Sequence, residues 1–214
     1  MASSCRTHPS FEPSDWSSMP FAKADHTVVE WQPYKHGYAF DLIRSFSSAD
    51  VGEDVRNALA FSGDPPIFNI DKLLGPGATR LELNAVWDIQ SKRYKYQQEY
   101  LAIWQEISHV DGWIHPLAPH AAVKHNDFKY YGYTTVINLL DWPAVVLPVT
   151  FADRETDVKD ATYKGISPLD TEIHNDYDAD IYHGAPVSVQ VIGRRLQEEY
   201  VIGLAEQIGI ALSL

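Results

Sequence analysis

Only one cysteine, Cys5, occurs in the 214 residues. A disulfide within the chain is therefore excluded, and the expected setting is a reducing, cytoplasmic one. Basic residues are also scarce: 17 Lys and Arg stand against 29 Asp and Glu, for a net charge of −12. That balance argues against a nucleic-acid partner, because neutralising phosphates takes clustered Lys and Arg. No apolar run approaches the roughly 20 residues that span a bilayer, so no membrane partner is expected. The first residues carry no apolar core of the kind a secretory signal uses. There is no Gly-x-Ser-x-Gly elbow to expose a nucleophilic serine. Glycine-rich loops that could cradle phosphate or an oxyanion are missing too, and Gly75-Pro76-Gly77 is too short and rigid to serve. No internal repeat is visible, and nothing calls for a cofactor.

What is present is an ordinary globular composition, 45% hydrophobic and 21% charged, in a chain long enough to bury a core. The strongest pattern runs from Tyr133 to Thr150. Val136, Leu139 and Leu140 fall at helical spacing. Trp142 precedes Pro143, which forces that residue out of the helical region and ends the helix near Asp141. Ala144–Val149 is then almost wholly apolar, as in a strand covered on both faces. A partner strand is expected at 187–192, where Val187, Val189 and Val191 alternate with Ser188 and Gln190. Val146 and Val189 are both expected in the core, and the two strands are expected to run antiparallel. A helix from about Gln197 to Leu212 follows.

The rest of the chain reads in order. Residues 1–26 form an irregular, Ser- and Pro-rich lead-in, and 27–214 one folded unit. Thr27–Trp31 is β-branched and aromatic and predicts a strand near 28–31. Ala39, Leu42, Ile43 and Phe46 mark one face of a helix, and Val51, Val55 and Leu59 that of a second, shorter one. Gly63 is placed to cap the second helix ahead of Pro65-Pro66. The segment 64–77, with its prolines and glycines, is expected to be a connecting loop. A long helix follows over about 80–108. Trp87, Tyr94 and Leu101 recur at seven, Tyr100, Trp104 and Ile107 widen the stripe, and core packing is the expected role of these aromatics. A short strand is expected at 112–115, stopped by Pro116. Residues 153–180 hold nine acidic residues against three basic ones, half of the chain's net charge, and read as a solvated acidic loop.

Few residues suggest chemistry by spacing alone. His115, His120 and His125 stand five apart in a Pro-broken segment, which is not the i, i+4 pairing of a zinc helix. Asp176-Tyr177-Asp178-Ala179-Asp180 starts like a calcium loop, but Ile181 and Val187 occupy the positions where glycine and glutamate are needed. No metal site is assigned. Ser17-Ser18 with Lys23 is the nearest approach to a Ser–Lys arrangement, and no catalytic role is assigned to it.

The order Asn138-Leu-Leu-Asp-Trp-Pro-Ala-Val-Val-Leu-Pro-Val149, an acidic insertion, and Gly184-Ala-Pro-Val-Ser-Val-Gln-Val-Ile-Gly-Arg-Arg195 with a Glu198-Glu199 helix resembles the C-terminal end of amidase signature enzymes, in particular their acetamidase-like branch. The resemblance runs from about Thr27 to the end of the chain. It implies an α/β fold, a partial mixed sheet flanked by helices. It also implies hydrolysis of carboxylic amides by a Ser–cis-Ser–Lys triad, a Ser-Lys form of nucleophilic catalysis. In that family the triad lies in the N-terminal half, so the chain is expected to be a truncated protein or an incomplete gene product, without activity alone. Pro116, Asn138, Trp142 and Gln190 would then help wall the substrate pocket, and a small amide would bind only if the N-terminal half were supplied. Two alternatives follow: half of a split enzyme completed by a separate N-terminal chain, or a non-catalytic interaction module on an amidase scaffold. A partial sheet also implies an unpaired edge and self-association through it. One departure stands out: Asp50-Val51-Gly52 occupies the place where that branch shows Asp-Gly-Gly.

Overall fold

The structure, a computed structural model, describes residues 26–73, 79–107 and 110–212. Ser17, Ser18, Lys23, Gly75-Pro76-Gly77, His109 and most of the lead-in lie outside the described residues. Three strands form one antiparallel sheet, β1 (Trp113–Pro116), β2 (Ala144–Phe151) and β3 (Pro186–Ile192), in the order β1-β3-β2. Helices cover the two faces unequally, and the class is α/β as expected. On one face lie α1 (His36–Ser47), α4 (Leu83–Glu106) and α5 (Gly132–Leu140); on the other lies α8 (Glu198–Ala211). The remaining helices are α2 (Glu53–Ser62), α3 (Phe68–Leu73), α6 (Pro168–Asp176) and α7 (Ala179–Tyr182).

Register decides which side chains meet. Directly opposed residues on antiparallel strands share a face. Trp113, Ile192 and Ala144 are opposed, as are His115, Gln190 and Val146; all six point to the side of the sheet on which the α1–α4–α5 layer lies, and the four on β1 and β3 lie under it. Ile114, Val191 and Val145 face the other way and pack with Val201, Ala205 and Ile208 of α8. β3 is thus buried on both faces. β2 is not: no helix of the α1–α4–α5 layer reaches over it, and Val146 is 49% exposed. The expectation that β2 is covered twice, with Val146 in the core, is corrected here. Its apolar run reflects a strand whose second face is open among the described residues. Val189 is buried as expected.

The α1–α4–α5 layer is held by aromatic contacts. Trp31, Tyr100, Trp104, Trp113 and Trp142 pack with ring centroids 5.1–6.5 Å apart, the Trp142 ring standing edge-on to both Tyr100 and Trp104. Such tilted and edge-on pairs add to the area that large rings bury. Residues 28–31 are not a strand. All three strands of the sheet lie elsewhere, and the segment is instead anchored by Trp31 in this cluster, with Val28 and Val29 exposed. The stripe on α4 is also corrected. Tyr96, Tyr100 and Trp104, four apart, are buried, whereas Trp87 and Tyr94 are 61% and 65% exposed. At about 100° per residue, Trp87 and Tyr94 sit on the side of the helix away from Tyr96. The inward side is also fixed by two donors, Arg93 Nε and Gln97 Nε2, which both reach the carbonyl of Leu139 at the end of α5 (3.3 and 2.8 Å).

Local stops follow the sequence closely. Asp141 takes the left-handed conformation at the end of α5 (φ 61°), and the Trp142 N–H returns to the Ile137 carbonyl at 3.3 Å. Gly63 ends α2 with φ 76°, its N–H on Leu59 O at 2.8 Å. Yet α2 contains no buried residue, and Val51 lies before it, so the expected Val51–Val55–Leu59 face does not pack. The helix is held at its start instead: the Asp50 carboxylate accepts from the N–H groups of Gly52 (2.8 Å) and Asp54 (3.0 Å), which keep it below the usual carboxylate range. That turn places Val51 at φ 56° and Gly52 at φ 73°. Within the segment expected to be loop, Phe68–Leu73 forms a single short helix entered from Pro65-Pro66.

Residues 153–180 form a largely exposed lobe that carries α6 and the start of α7 rather than loop alone. Ser167 caps α6 by accepting the Asp170 N–H at 3.1 Å. The Asp170 carboxylate, 2% exposed, accepts from the Tyr163 hydroxyl (2.7 Å) and the Ile166 N–H (2.9 Å). Lys129 binds Glu172 and Asp176 from outside the lobe. The acidic residues therefore organise turns and helix starts.

Two outcomes are expected from these features. Val189→Ala should cost about 2–3 kcal/mol by opening a cavity in the doubly covered strand, while Val146→Ala should stay within about 0.5 kcal/mol; urea unfolding measures both. A β-branched residue is disfavoured at positive φ, so Val51→Gly should stabilise the fold by about 0.5–1 kcal/mol, read as a higher urea midpoint.

Candidate functional site

The polar centre of the fold lies between β1, β3, α1, α4 and α5. Gln190 lies on β3, the doubly buried central strand, and is 2% exposed. Its Nε2 donates to Tyr133 O at 2.9 Å and to Pro116 O at 3.2 Å, and lies 3.2 Å from His115 Nδ1. The two carbonyls fix the orientation of the amide, because its oxygen cannot face them. Two N–H groups are therefore shared among three acceptors, one each from α5, the end of β1, and the His115 ring.

His115 is buried beneath the Tyr133 and Trp113 rings, 4.9 and 5.1 Å away between centroids. His36, at the start of α1, lies 6.0 Å from it. His36 Nε2 in turn meets the Tyr100 hydroxyl at 3.0 Å. Burial disfavours the charged ring in both cases, lowering His36 to about 4 and His115 to about 3; for His115 the neighbouring His36 adds to the effect. Burial also pushes the Tyr100 phenol up, so it stays protonated and able to donate. The arrangement is a neutral network of hydrogen bonds inside an aromatic shell.

The four wall residues expected from sequence take different places. Pro116 and Gln190 are in direct contact through the bond above. Trp142 is half-buried against Tyr100 and Trp104. Asn138 is exposed, and its carbonyl helps close the turn after α5. The three histidines also part company: His115 joins Gln190, His120 packs on Phe128 and Tyr182 and bonds to Ala121 O, and His125 is exposed. Among the described residues no three His, Cys, Asp or Glu side chains gather as a metal cage, and no helix is long and apolar enough to cross a membrane. The pairing of His36 with His115 was not legible in the sequence, where they stand far apart. Its one signal was Gln190, a polar residue set between Val189 and Val191 in the buried half of the strand.

This fold and its two sequence blocks agree with known proteins. A family model described as Amidase matches residues 20–202, and the chain belongs to that family. The acetamidase of Emericella nidulans is 47% identical over 193 residues, covering 88% of this chain and 35% of the relative. The acetamidase of Aspergillus oryzae is 46% identical over 192 residues, with 87% and 35% covered. The chain therefore spans about a third of the length of these curated relatives. Among solved structures, fatty acid amide hydrolase superposes with a TM-score of 0.82 at 22% identity, over 91% of this chain and 35% of that one, which shows the shared amidase signature fold.

Gln190→Leu is expected to destabilise the chain by about 2–4 kcal/mol, because two buried carbonyls and a ring nitrogen lose their donor. Asn138→Ala should change stability by no more than about 0.5 kcal/mol. Thermal melts of the two variants side by side make the comparison.

Proposed function

We propose that the chain is the C-terminal part of an amidase-type hydrolase that cleaves carboxylic amides to acid and ammonia or amine. The supporting observation is the near-half identity to two acetamidases across almost the whole chain, at only a third of their length. Short amides of the acetamide class are the proposed substrates. The Ser–Ser–Lys triad belongs to the remaining part of the enzyme, so this chain alone does not turn over. Pro116, Asn138, Trp142 and Gln190 are its proposed contribution to the pocket wall, and the site of action is the cytoplasm. Nucleic acid and membrane are not partners in this reading.

The uncovered face of β2 supports a contact with further polypeptide. Ala144, Val146 and Pro148 are exposed there in an edge strand, and apolar edges invite pairing. The occupant is the N-terminal amidase portion, on the same chain or on a separate one; without it, the chain self-associates.

Ammonia release from acetamide tests the reading. The purified chain should show none above background, and adding a polypeptide that carries the triad should restore turnover. Sedimentation at micromolar concentration should show self-association that Val146→Lys reduces. Turnover by the chain alone, abolished by Ser17→Ala or Ser18→Ala, would overturn the assignment of the triad. Co-purification of an unrelated partner would favour the non-catalytic module instead.

A further inference from the structure

We infer that His36 and His115 form an acid-release clasp: uptake of a proton by either ring breaks the polar contacts His36 makes with Tyr100 and His115 makes with Gln190, and loosens the aromatic layer around them while the β2–β3 pair and α8 keep their structure. The argument begins with hydrogen-bond direction. Gln190 Nε2 faces His115 Nδ1 and is held there by Tyr133 O and Pro116 O. In the neutral ring Nδ1 accepts, and the proton sits on Nε2. A second proton would have to go on Nδ1 and would point an N–H at an amide NH2. The amide cannot turn over to meet it without setting its oxygen against two carbonyls. A charged His115 ring therefore repels the Gln190 Nε2 and competes with it for the Pro116 carbonyl, which loosens the bracket that joins β1, β3 and α5.

His36 supplies the second half. It is the first residue of α1, with Tyr100 of α4 on one side and Trp113 and His115 of β1 on the others. The Tyr100 hydroxyl serves a neutral ring as donor or a charged one as acceptor, but it brings no countercharge. Two charged rings at 6.0 Å would also repel each other.

The titratable and charged groups facing the pair are few. From α4 they are Tyr100 and, next along, Tyr96 and Glu99; from α5, Tyr133; from the segment before α1, Tyr34 and Lys35. Glu99 is committed to Tyr34 (3.0 Å) and Lys35 (3.3 Å), and Tyr96 donates to Tyr34 O (2.8 Å). β3 offers only the neutral Gln190. The groups that could accept from a charged ring, the Pro116 carbonyl beside His115 and the Tyr100 hydroxyl beside His36, are neutral, so among the contacts described the pair has no countercharge.

The direction with pH follows. Both rings are depressed in the fold, so the unfolded or released state binds more protons below the ordinary value of 6.5. Stability is full above that value and is lost as pH falls, until His36 charges near 4 and His115 near 3. Each ring contributes up to about tenfold per pH unit to the release equilibrium. Near neutral pH the clasp is closed.

Four of the chain's tryptophans (Trp31, Trp104, Trp113 and Trp142) lie in the cluster beside the clasp. Near-UV circular dichroism and tryptophan emission therefore report on it, while far-UV circular dichroism reports on the helices. On lowering pH from 7 to 4, the tryptophan signals should change first, with the helix signal retained. In the His36→Gln, His115→Gln double variant that early change should disappear, although His120 is still present. Should the double variant not fold, His36→Gln alone should reduce the steepness by up to about tenfold per pH unit, and ring nitrogens in labelled wild-type chain should stay neutral until the tryptophan signals move. Rings that titrate near 6.5 with no tryptophan change would overturn the proposal. So would an acid response unchanged in a folded double variant.

Discussion

Gln190 is the polar side chain on the strand that both cores share, and the layers are referenced to it. A buried amide that lost its partners would cost more than the bonds return, so its three acceptors fix where β1, α5 and the His115 ring can lie. The aromatic layer then closes over these elements. Trp113 stacks against Tyr100, Tyr100 meets Trp142, and Trp31 ties the segment before α1 to the same cluster. On the opposite face Val191 needs only apolar contact, and α8 supplies it. One strand thus carries a specifying polar contact on one face and a space-filling one on the other.

The same strand explains the asymmetry of the sheet. β1 and β2 are both edges, but they are treated differently. β1 ends in Pro116, which lacks an N–H to offer a further strand, and its inward side chains lie under α1 and α4. β2 carries an open apolar face and an irregularity between Pro148 and Thr150. An edge of that kind is open to a further strand, and it is the surface on which the proposed contact with more polypeptide rests.

Charge plays a quieter part than composition suggests. The acidic lobe concentrates half of the net charge, yet several of its carboxylates act on local backbone. Asp153 accepts from the N–H groups of Glu155 and Thr156, Asp178 from those of Asp180 and Ile181, and Asp170 from Ile166. Such bonds keep a long excursion ordered between β2 and β3, the two strands it separates in sequence.

Some of this was determined by the sequence alone. The alternation in 187–192, the Trp142-Pro143 stop and the Gly63 cap act through neighbouring residues, so they can be read without a fold. The two apolar blocks, with their order, also carried the family. Other features depend on what lies across the molecule. Trp87 and Tyr94 recur at seven like Tyr96 and Tyr100 at four, and only the position of α5, fixed by Arg93 and Gln97 on Leu139 O, selects the inward side. Val146 and Val189 are the same residue type, with Val146 in the more apolar strand, and only the extent of the covering helices separates them. His36 and His115 are 79 positions apart, and no local rule joins them. They meet because antiparallel register brings Gln190 beside His115 and the aromatic shell seats α1 over both.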